Sequence, residues 1–470
     1  MRAVKLKLEP FSMITITDYS SGEQIGQHGV VRIIGKIDKN DYSKCMEKAG
    51  KKQWTQVIAI DEHDNEKTLF WGVLYSIHIS LSSNYSEVEM YLRTGTYLMD
   101  MTKHYRSFQK SSYSYQDVLK VCTKGYDGSN FIMGSGKDKK CGDFLMQYYE
   151  TDWEFANRLA SIFHTVLIPE SRVKGVRYYF GIPDKKAAKT VAENDIEATI
   201  VQKSVGEQED KIKNHVKGLK EKDSVVYIIK SRELFYLGDN VMYENQSYVI
   251  SQIQRAYEGS ELINLYYLKT KAGTKVIQKW NENLIGNSVS GEVVNVKSDV
   301  VEVKLFQDEN QKETGTRWFP FSTVYSSPDG TGWYCMPEIK DNVRLYFPDC
   351  KEKNAYVISA VHTSPSNSAA RSNPDHKSIM NKDGKELLLT PDSIVMTNNK
   401  GMSVEIKDDT GISIVSTKDI KITADESIYI ASTNKEVDIV ADEKILLDQD
   451  GTTITLENDI TLLGSKIKYQ

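Results

Sequence analysis

Gly134-Ser135-Gly136-Lys137 is the first group whose types could do chemistry, since glycine amides followed by a lysine are what a phosphate-cradling loop uses. Asp138 stands where such a loop needs Ser or Thr, and position 131 is Phe rather than the leading Gly, so the stretch reads as a plain loop. Asp152 and Glu154 could form an acid/base pair. First-turn carboxylates are favoured by the helix dipole without any catalysis, and that is the reading taken here. Metal-ligand patterns are absent: there is no His-x-x-x-His, and Cys45, Cys122, Cys141, Cys335 and Cys350 include no Cys-x-x-Cys pair. Asp448, Asp450 and Gly451 are a fragment of a calcium-loop pattern whose other ligands are missing, and they read as a polar turn. The expectation is no catalytic residue, no metal and no cofactor, hence not an enzyme.

Nucleic-acid binding is the remaining chemical reading. Trp318, Phe319, Phe321, Trp333 and Tyr334 could stack bases. Residues 287–362, however, hold 8 Lys/Arg against 11 Asp/Glu, and the 470-residue chain carries a net charge of −5. Neither balance favours a polyanion. Packing against other parts of the protein is the expected use of those rings. The first twenty residues have no signal-peptide core, and no run of about 18 apolar residues occurs. Scattered, odd-numbered cysteines fit a protein made in a reducing cytoplasm.

The elements that must position these residues are mostly strands. Tyr is abundant at 27 and Pro scarce at 10, and the chain is long enough for three or four domains. VVRIIGKI, WTQVIAI and TLFWGVLYSIHISL alternate across residues 1–100. The middle turns helical at QDVLKVCTK and at TDWEFANRLASIFH, where Thr151 and Glu154 have capping-box spacing and Ala156, Leu159, Ala160 and Phe163 share one face. Strands resume near 174 and are interrupted by the polar stretch Gly206–Asp223. Residues 287–362 hold about five strands, the size of a small closed barrel such as an OB fold. Thr363–Ser378 is rich in Ser, Asn, Pro and Ala and reads as a linker.

From about 386 the sequence repeats. Apolar pairs recur near every eighth residue: Leu387/Leu389, Ile394/Met396, Val404/Ile406, Ile412/Ile414, Ile420/Ile422, Ile428/Ile430, Val437/Ile439, Ile445/Leu447, Ile454/Leu456, Ile460/Leu462 and Ile467/Tyr469. Residues two apart on a strand face one side, and turn formers fill the gaps. One such unit buries neither its apolar pair nor its strand edges, so repeats must stack. Eight residues make one wall of a triangular prism. The prism forms either from one chain coiling with about 24 residues per turn or from three chains supplying one wall each. A plain antiparallel meander would need longer strands and hairpin turns at each reversal, and only Asp383-Gly384 and Asp450-Gly451 have that form.

The segment QYYETDWEFANRLASIF, Gln147 to Phe163, with VRYYFGI shortly after, resembles the hub domain of VgrG-type and myophage-like spike proteins of contractile injection systems. The motif falls on Gln147, Glu150, Thr151, Asp152, Trp153, Phe155, Arg158 and Leu159. The Arg317-Trp318, Gly332-Trp333-Tyr334, Pro337 and Asp341-x-Val343 positions are similar to that family's OB domain. Lys340 departs from it, standing where many relatives carry Gly. The repeat resembles the family's triple-stranded β-helix.

This resemblance implies a mainly β homotrimer. Its parts would be hub β-barrel 1 (1–100), an α/β insertion (101–180), hub β-barrel 2 (181–286), an OB fold (287–362), a linker (363–385) and a β-helix spike (386–470). Val404, Ile406, Ile412, Ile414, Ile420, Ile422, Ile428, Ile430, Val437, Ile439, Ile445, Leu447, Ile454 and Leu456 would face the spike axis. The implied role is a hub and envelope-puncturing needle at the tip of a tail tube. Its partners would be its own copies, tail-tube and baseplate proteins, a tip-capping protein or cargo, and the target envelope, with no nucleic acid. It would be made in a bacterial cytoplasm and incorporated in the particle. The 23 residues of 363–385 leave no room for the lysozyme some relatives insert there. The last histidine, His376, is too early for the apex His-x-His of iron-binding relatives. The alternative is a tail-associated protein that binds surface glycan or degrades cell wall, which would need aromatics along the repeat. Only Tyr429 and Tyr469 follow residue 386.

Overall fold

A computed structural model describes residues 3–82, 86–184, 189–258, 261–312, 315–362, 371–456, 460–463 and 465–466. It has two compact units, Met1–Thr363 and Ser364–Gln470. Among the described residues no helix is long and apolar enough to cross a membrane.

The first unit is mainly β. Alternating β-branched and aromatic residues form β1 (Ala3–Glu9), β2 (Thr15–Gln24), β3 (Val30–Ile37), β4 (Trp54–Asp61), β5 (Glu66–Leu81) and β6 (Ser86–Thr94), with α1 at Tyr42–Lys48. Then come β7 (Lys103–Phe108), α2 (Tyr115–Thr123), β8 (Asn130–Met133), β9 (Leu145–Thr151), α3 (Asp152–Ile162), β10 (Leu167–Pro169) and β11 (Arg177–Phe180). The next group is β12 (Lys189–Thr190), β13 (Ile196–Lys203), α4 (Val205–Lys213), β14 (Val225–Ser231), β15 (Asn240–Tyr243), β16 (Gln246–Glu258) and β17 (Glu261–Lys269). The polar stretch 206–223 thus starts as a helix, α4.

One twelve-stranded sheet runs β1-β4-β5-β6-β3-β2-β16-β17-β14-β13, with β12 and β15 attached beside β16. Its seam is the antiparallel pair β2–β16, where Gln252 meets Gln24 and Ala256 meets Ser20. A fully buried ion pair sits beside that seam, Arg255 Nη1 to Glu23 Oε1 at 2.6 Å. Glu23 also accepts from Ser171 Oγ at 2.6 Å, and Arg255 Nη2 donates to the Phe235 carbonyl at 2.7 Å. Separate apolar cores lie on either side, one around Tyr19, Ile33 and Phe70, the other around Ile250, Ile253 and Tyr266.

The last strands of this unit are β18 (Ser288–Lys297), β19 (Val300–Leu305), β20 (Trp318–Pro320), β21 (Asn342–Tyr346) and β22 (Tyr356–Ile358). They form a five-stranded sheet in the order β20-β19-β18-β21-β22. A parallel bridge from Phe321 to Val357 joins the two ends of that order, so the sheet curls towards closure.

The second unit holds β23 (Lys377–Met380), β24 (Glu386–Leu389), β25 (Ser393–Thr397), β26 (Ser403–Lys407), β27 (Gly411–Val415), β28 (Ile445–Gln449), β29 (Thr452–Leu456) and β30 (Ile460–Leu463). β23 begins inside the stretch read as a linker, whose residues 363–370 lie outside the described ones, as do Ile467 and Tyr469. From β23 to β27 consecutive strands pair antiparallel. Over 377–415 the chain is therefore the meander that strand length and turn type had argued against, not a single-chain coil. The missed reversals use residues in the left-handed region, Asn399 (φ 52°), Gly401 (φ 89°) and Gly411 (φ 90°), which a search for Asn-Gly and Asp-Gly pairs passes over. Asp450 (φ 47°) and Gly451 (φ 81°) do make the β28–β29 hairpin turn.

The register stacks the apolar pairs in columns: Leu387 opposite Met396, Met396 opposite Val404, Val404 opposite Ile414, and Ile394 opposite Ile406 opposite Ile412. Between 416 and 444 no strand forms within the chain.

Candidate functional site

The motif residues of 147–159 converge on one buried polar joint. Thr151 caps α3: its hydroxyl accepts from Glu154 N at 3.1 Å, and Glu154 Oε2 accepts from Thr151 N at 2.8 Å. Glu154 is thereby committed to the helix start. Asp152, 1% exposed, accepts from Arg106 Nη1 at 2.6 Å, Tyr126 Oη at 2.8 Å and Gln147 Nε2 at 3.1 Å. A buried carboxylate holding three such donors ties β7, β9 and the start of α3 together. Phe155 and Leu159, both fully buried, enter the core around α2 and α3, where Phe155 stacks on Phe108 and carries the Arg158 guanidinium over its ring at 5.0 Å.

Arg158 is the centre of the joint. Its guanidinium meets Glu150 in a two-pronged pair, Nε to Oε1 at 2.6 Å and Nη2 to Oε2 at 2.8 Å. Nη1 reaches Glu352 Oε1 at 2.7 Å, and Nη2 also donates to the Met146 carbonyl at 2.8 Å. Burial alone would lower the Arg158 pKa, but Glu352 and Glu150 outweigh it and hold the guanidinium charged. Burial pushes the Glu150 carboxyl up, and Arg158 offsets only part of that.

Glu352 lies between β21 and β22 of the small five-stranded β18–β22 barrel, so Arg158 ties α3 to it. A second tie runs along β7. Glu309 Oε1 accepts from Tyr105 N at 2.9 Å and Glu309 N donates to Tyr105 O at 2.9 Å, in the manner of a strand pair. Asp308 accepts from Ser107 N at 3.0 Å and from Ser107 Oγ at 2.5 Å. Glu309 Oε2 lies 2.8 Å from His104 Nδ1, and these donors keep its carboxyl below the usual range despite burial. β9 is the wall common to both parts. Leu145 faces the α2/α3 core, while Phe144 and Met146 enter the barrel core beside Val293, Phe319 and Phe347.

Sequence reading found Gln147, Glu150, Asp152, Phe155, Arg158 and Leu159 but not Arg106 and Glu352, which bond to them, nor Asp308 and Glu309, which bond to β7. Two signals pointed to them. His104 and Arg106 are two apart on a strand and share a face. The acidic excess of 287–362 includes Asp308, Glu309 and Glu352, whose bonds leave the barrel for this joint. Of the aromatic set, Phe319 packs edge-on against Phe144 at 5.3 Å, whereas Trp333 and Tyr334 stay exposed.

The other chemical candidates dissolve on geometry. Gly134 N and Ser135 N both donate to the Phe180 carbonyl, at 2.9 and 3.0 Å, and so do not converge on an anion. Among the described residues no cluster of His, Cys, Asp or Glu is placed to hold a metal ion. Lys340 takes the left-handed conformation (φ 79°) that Gly would adopt there, and its N–H bonds Val293 O at 2.8 Å. The turn is kept with the wrong residue in it.

No protein-family model and no curated protein sequence matches the chain. Solved structures do. The E. coli protein c3393, described as a component of the type VI secretion system similar in structure to the bacteriophage T4 tail proteins gp27 and gp5, superposes with a TM-score of 0.54 at 12% identity. That alignment covers 75% of this chain and 99% of the other. The Francisella PdpA–VgrG complex in its half-lidded state gives a TM-score of 0.56 at 9% identity, covering 85% of this chain and 83% of the other. Its lidless state gives 0.54 at 10% identity, covering 85% and 93%. The chain shares the fold of these solved structures.

Proposed function

We propose that the chain is the structural hub and spike at the tip of a contractile tail tube, acting as a homotrimer and without catalysis. On this reading residues 1–100 and 181–286 are the two hub barrels, 101–180 the α/β insertion between them, and 287–362 an OB-fold collar. After a linker at 363–385, residues 386–470 build a triple-stranded β-helix that breaches an envelope. Tail-tube and baseplate proteins are the neighbours, a tip-capping protein or cargo a further partner, and the particle the final location. Neither nucleic acid nor a cofactor has a part in it. The strand order β20-β19-β18-β21-β22 with its parallel closure is the order an OB barrel requires, which supports the collar.

The observation that carries the reading is the state of the repeat in a single chain. Ile412, Ile422 and Ile430 are 72%, 69% and 69% exposed, and none of the apolar residues from Val404 to Leu456 assigned to an axis is buried. Apolar columns of that length need cover. Three chains related by an axis supply it, with the meander of 377–415 as one wall per chain and the unpaired octads of 416–444 pairing between chains. The glycan-binding alternative is poorly supported, because Tyr429 is the one aromatic among the described residues after 386.

Electron-microscope images of the full-length protein test this. Class averages should show a three-fold ring seen end-on and a ring with a thin projecting needle seen side-on. Compact single-chain particles without a needle would contradict it.

A further inference from the structure

β9 carries an irregularity that the joint at Arg158 does not use. His104 pairs with Glu150 and Tyr105 with Tyr148, so Tyr149 has no partner on β7 and forms a β-bulge. Its backbone is left-handed (φ 52°), which strains an aromatic residue, and its side chain is 57% exposed. A strained bulge that turns a large ring into water is a feature of binding sites and not of cores.

Tyr149 is the wall shared by two cavities. The larger, of 430 Å³, is also lined by Trp153, Asn157, Trp280 and Asn283. The smaller, of 180 Å³, is lined by Tyr105, Tyr148 and Phe306. Trp280 and Phe306 are 40% and 46% exposed, so rings are open to a ligand along the whole groove. The walls are tied down. Asn281 Nδ2 donates to Tyr148 O at 2.8 Å, Lys279 N donates to Ser161 Oγ at 2.8 Å, and Tyr149 packs edge-on against Tyr148 at 4.8 Å. The groove is therefore formed in advance of any ligand.

Three properties select the occupant. The lining of the larger cavity sets Lys103, Arg158 and Lys279 against Glu150, Glu154 and Glu282, so it has no net charge and favours neither an anion nor a cation. Asn157 is 8% exposed and donates through Nδ2 to Trp153 O at 3.1 Å, but its Oδ1 takes no donor among the described residues. It is an acceptor waiting on the cavity wall for an uncharged donor such as a hydroxyl. An extended peptide cannot add to β9 as a strand, because the bulge interrupts it and Met146 O and Tyr148 O already accept from Arg158 and Asn281. A sugar meets all three conditions. Its C–H faces cover aromatic rings while its hydroxyls satisfy the polar groups between them.

We propose that the groove across Tyr149 binds a short neutral oligosaccharide, with sugar rings stacked on Trp280 and Tyr149 and the chain continuing past Tyr149 towards Phe306. The site lies in the first unit and depends neither on the number of chains nor on the repeat, so its failure leaves the hub-and-spike reading untouched. The test is saturation-transfer NMR on the full-length protein, with tri-N-acetylchitotriose, cellotriose and maltotriose as probes. At least one should bind saturably with a Kd of about 1 mM or tighter. Tyr149→Gly removes the ring and suits the left-handed backbone, so the circular-dichroism melt should be kept while binding weakens about tenfold or more. Trp280→Ala, at an exposed position, should weaken it to the same degree. Absence of binding by all three probes up to about 20 mM would give the groove to a protein segment or to nothing, and would overturn the assignment. Binding that neither substitution moves would overturn it as well.

Discussion

A guanidinium buried between two carboxylates, as Arg158 is between Glu150 and Glu352, cannot be removed without leaving uncompensated charge in a low-dielectric site. Arg158→Met should therefore lower stability by about 3–5 kcal/mol, read from the denaturant midpoint of the hub transition. A loss below about 1 kcal/mol would mean the joint is solvated and weak. Lys340 offers the opposite sign. Its positive φ strains an L side chain, and Lys340→Gly should stabilise by up to about 1 kcal/mol, seen as a raised melting temperature. Glu309 gives a pH dependence. Its folded pKa lies below the ordinary 4.5, so its contribution is complete above that value and is lost as pH falls through the folded one. Wild type should lose stability on acidification below about pH 4.5 more steeply than Glu309→Gln, and parallel acid limbs would remove Glu309 from the account.

At the scale of elements, legibility in the sequence followed how local the cause was. The α3 start was readable because the capping box spans four residues and satisfies itself. The octads were readable because their period is local too. The partners of Arg158 and of β7 were not, since Glu352 and Glu309 lie about two hundred residues away and only folding brings them near. Whether octads turn back within a chain or pass to another was likewise not legible, because an eight-residue period fits both. The structure divides them: strands pair within the chain to Val415, and the octads from there to Lys444 form none. Ile422→Asp puts a carboxylate into the unpaired stretch. It should abolish association of the repeat while the hub keeps its circular-dichroism melt, and unchanged assembly would place Ile422 off the axis.

At the scale of the whole molecule, a first unit with cores of its own is followed by a repeat whose apolar residues stay uncovered within one chain. The first unit has its own cores, its seam ion pair at Arg255–Glu23 and its joint at Arg158, so it has what an independent fold needs. The second unit lacks this: its apolar columns lie open from β24 onward. The proposed closure by three chains would cover those columns and leave no free strand edges. Native mass of the full-length protein at micromolar concentration is the direct measurement. The account predicts three 53.4-kDa chains, about 160 kDa, with no monomer on moderate dilution. A stable, well-folded 53.4-kDa monomer would contradict it.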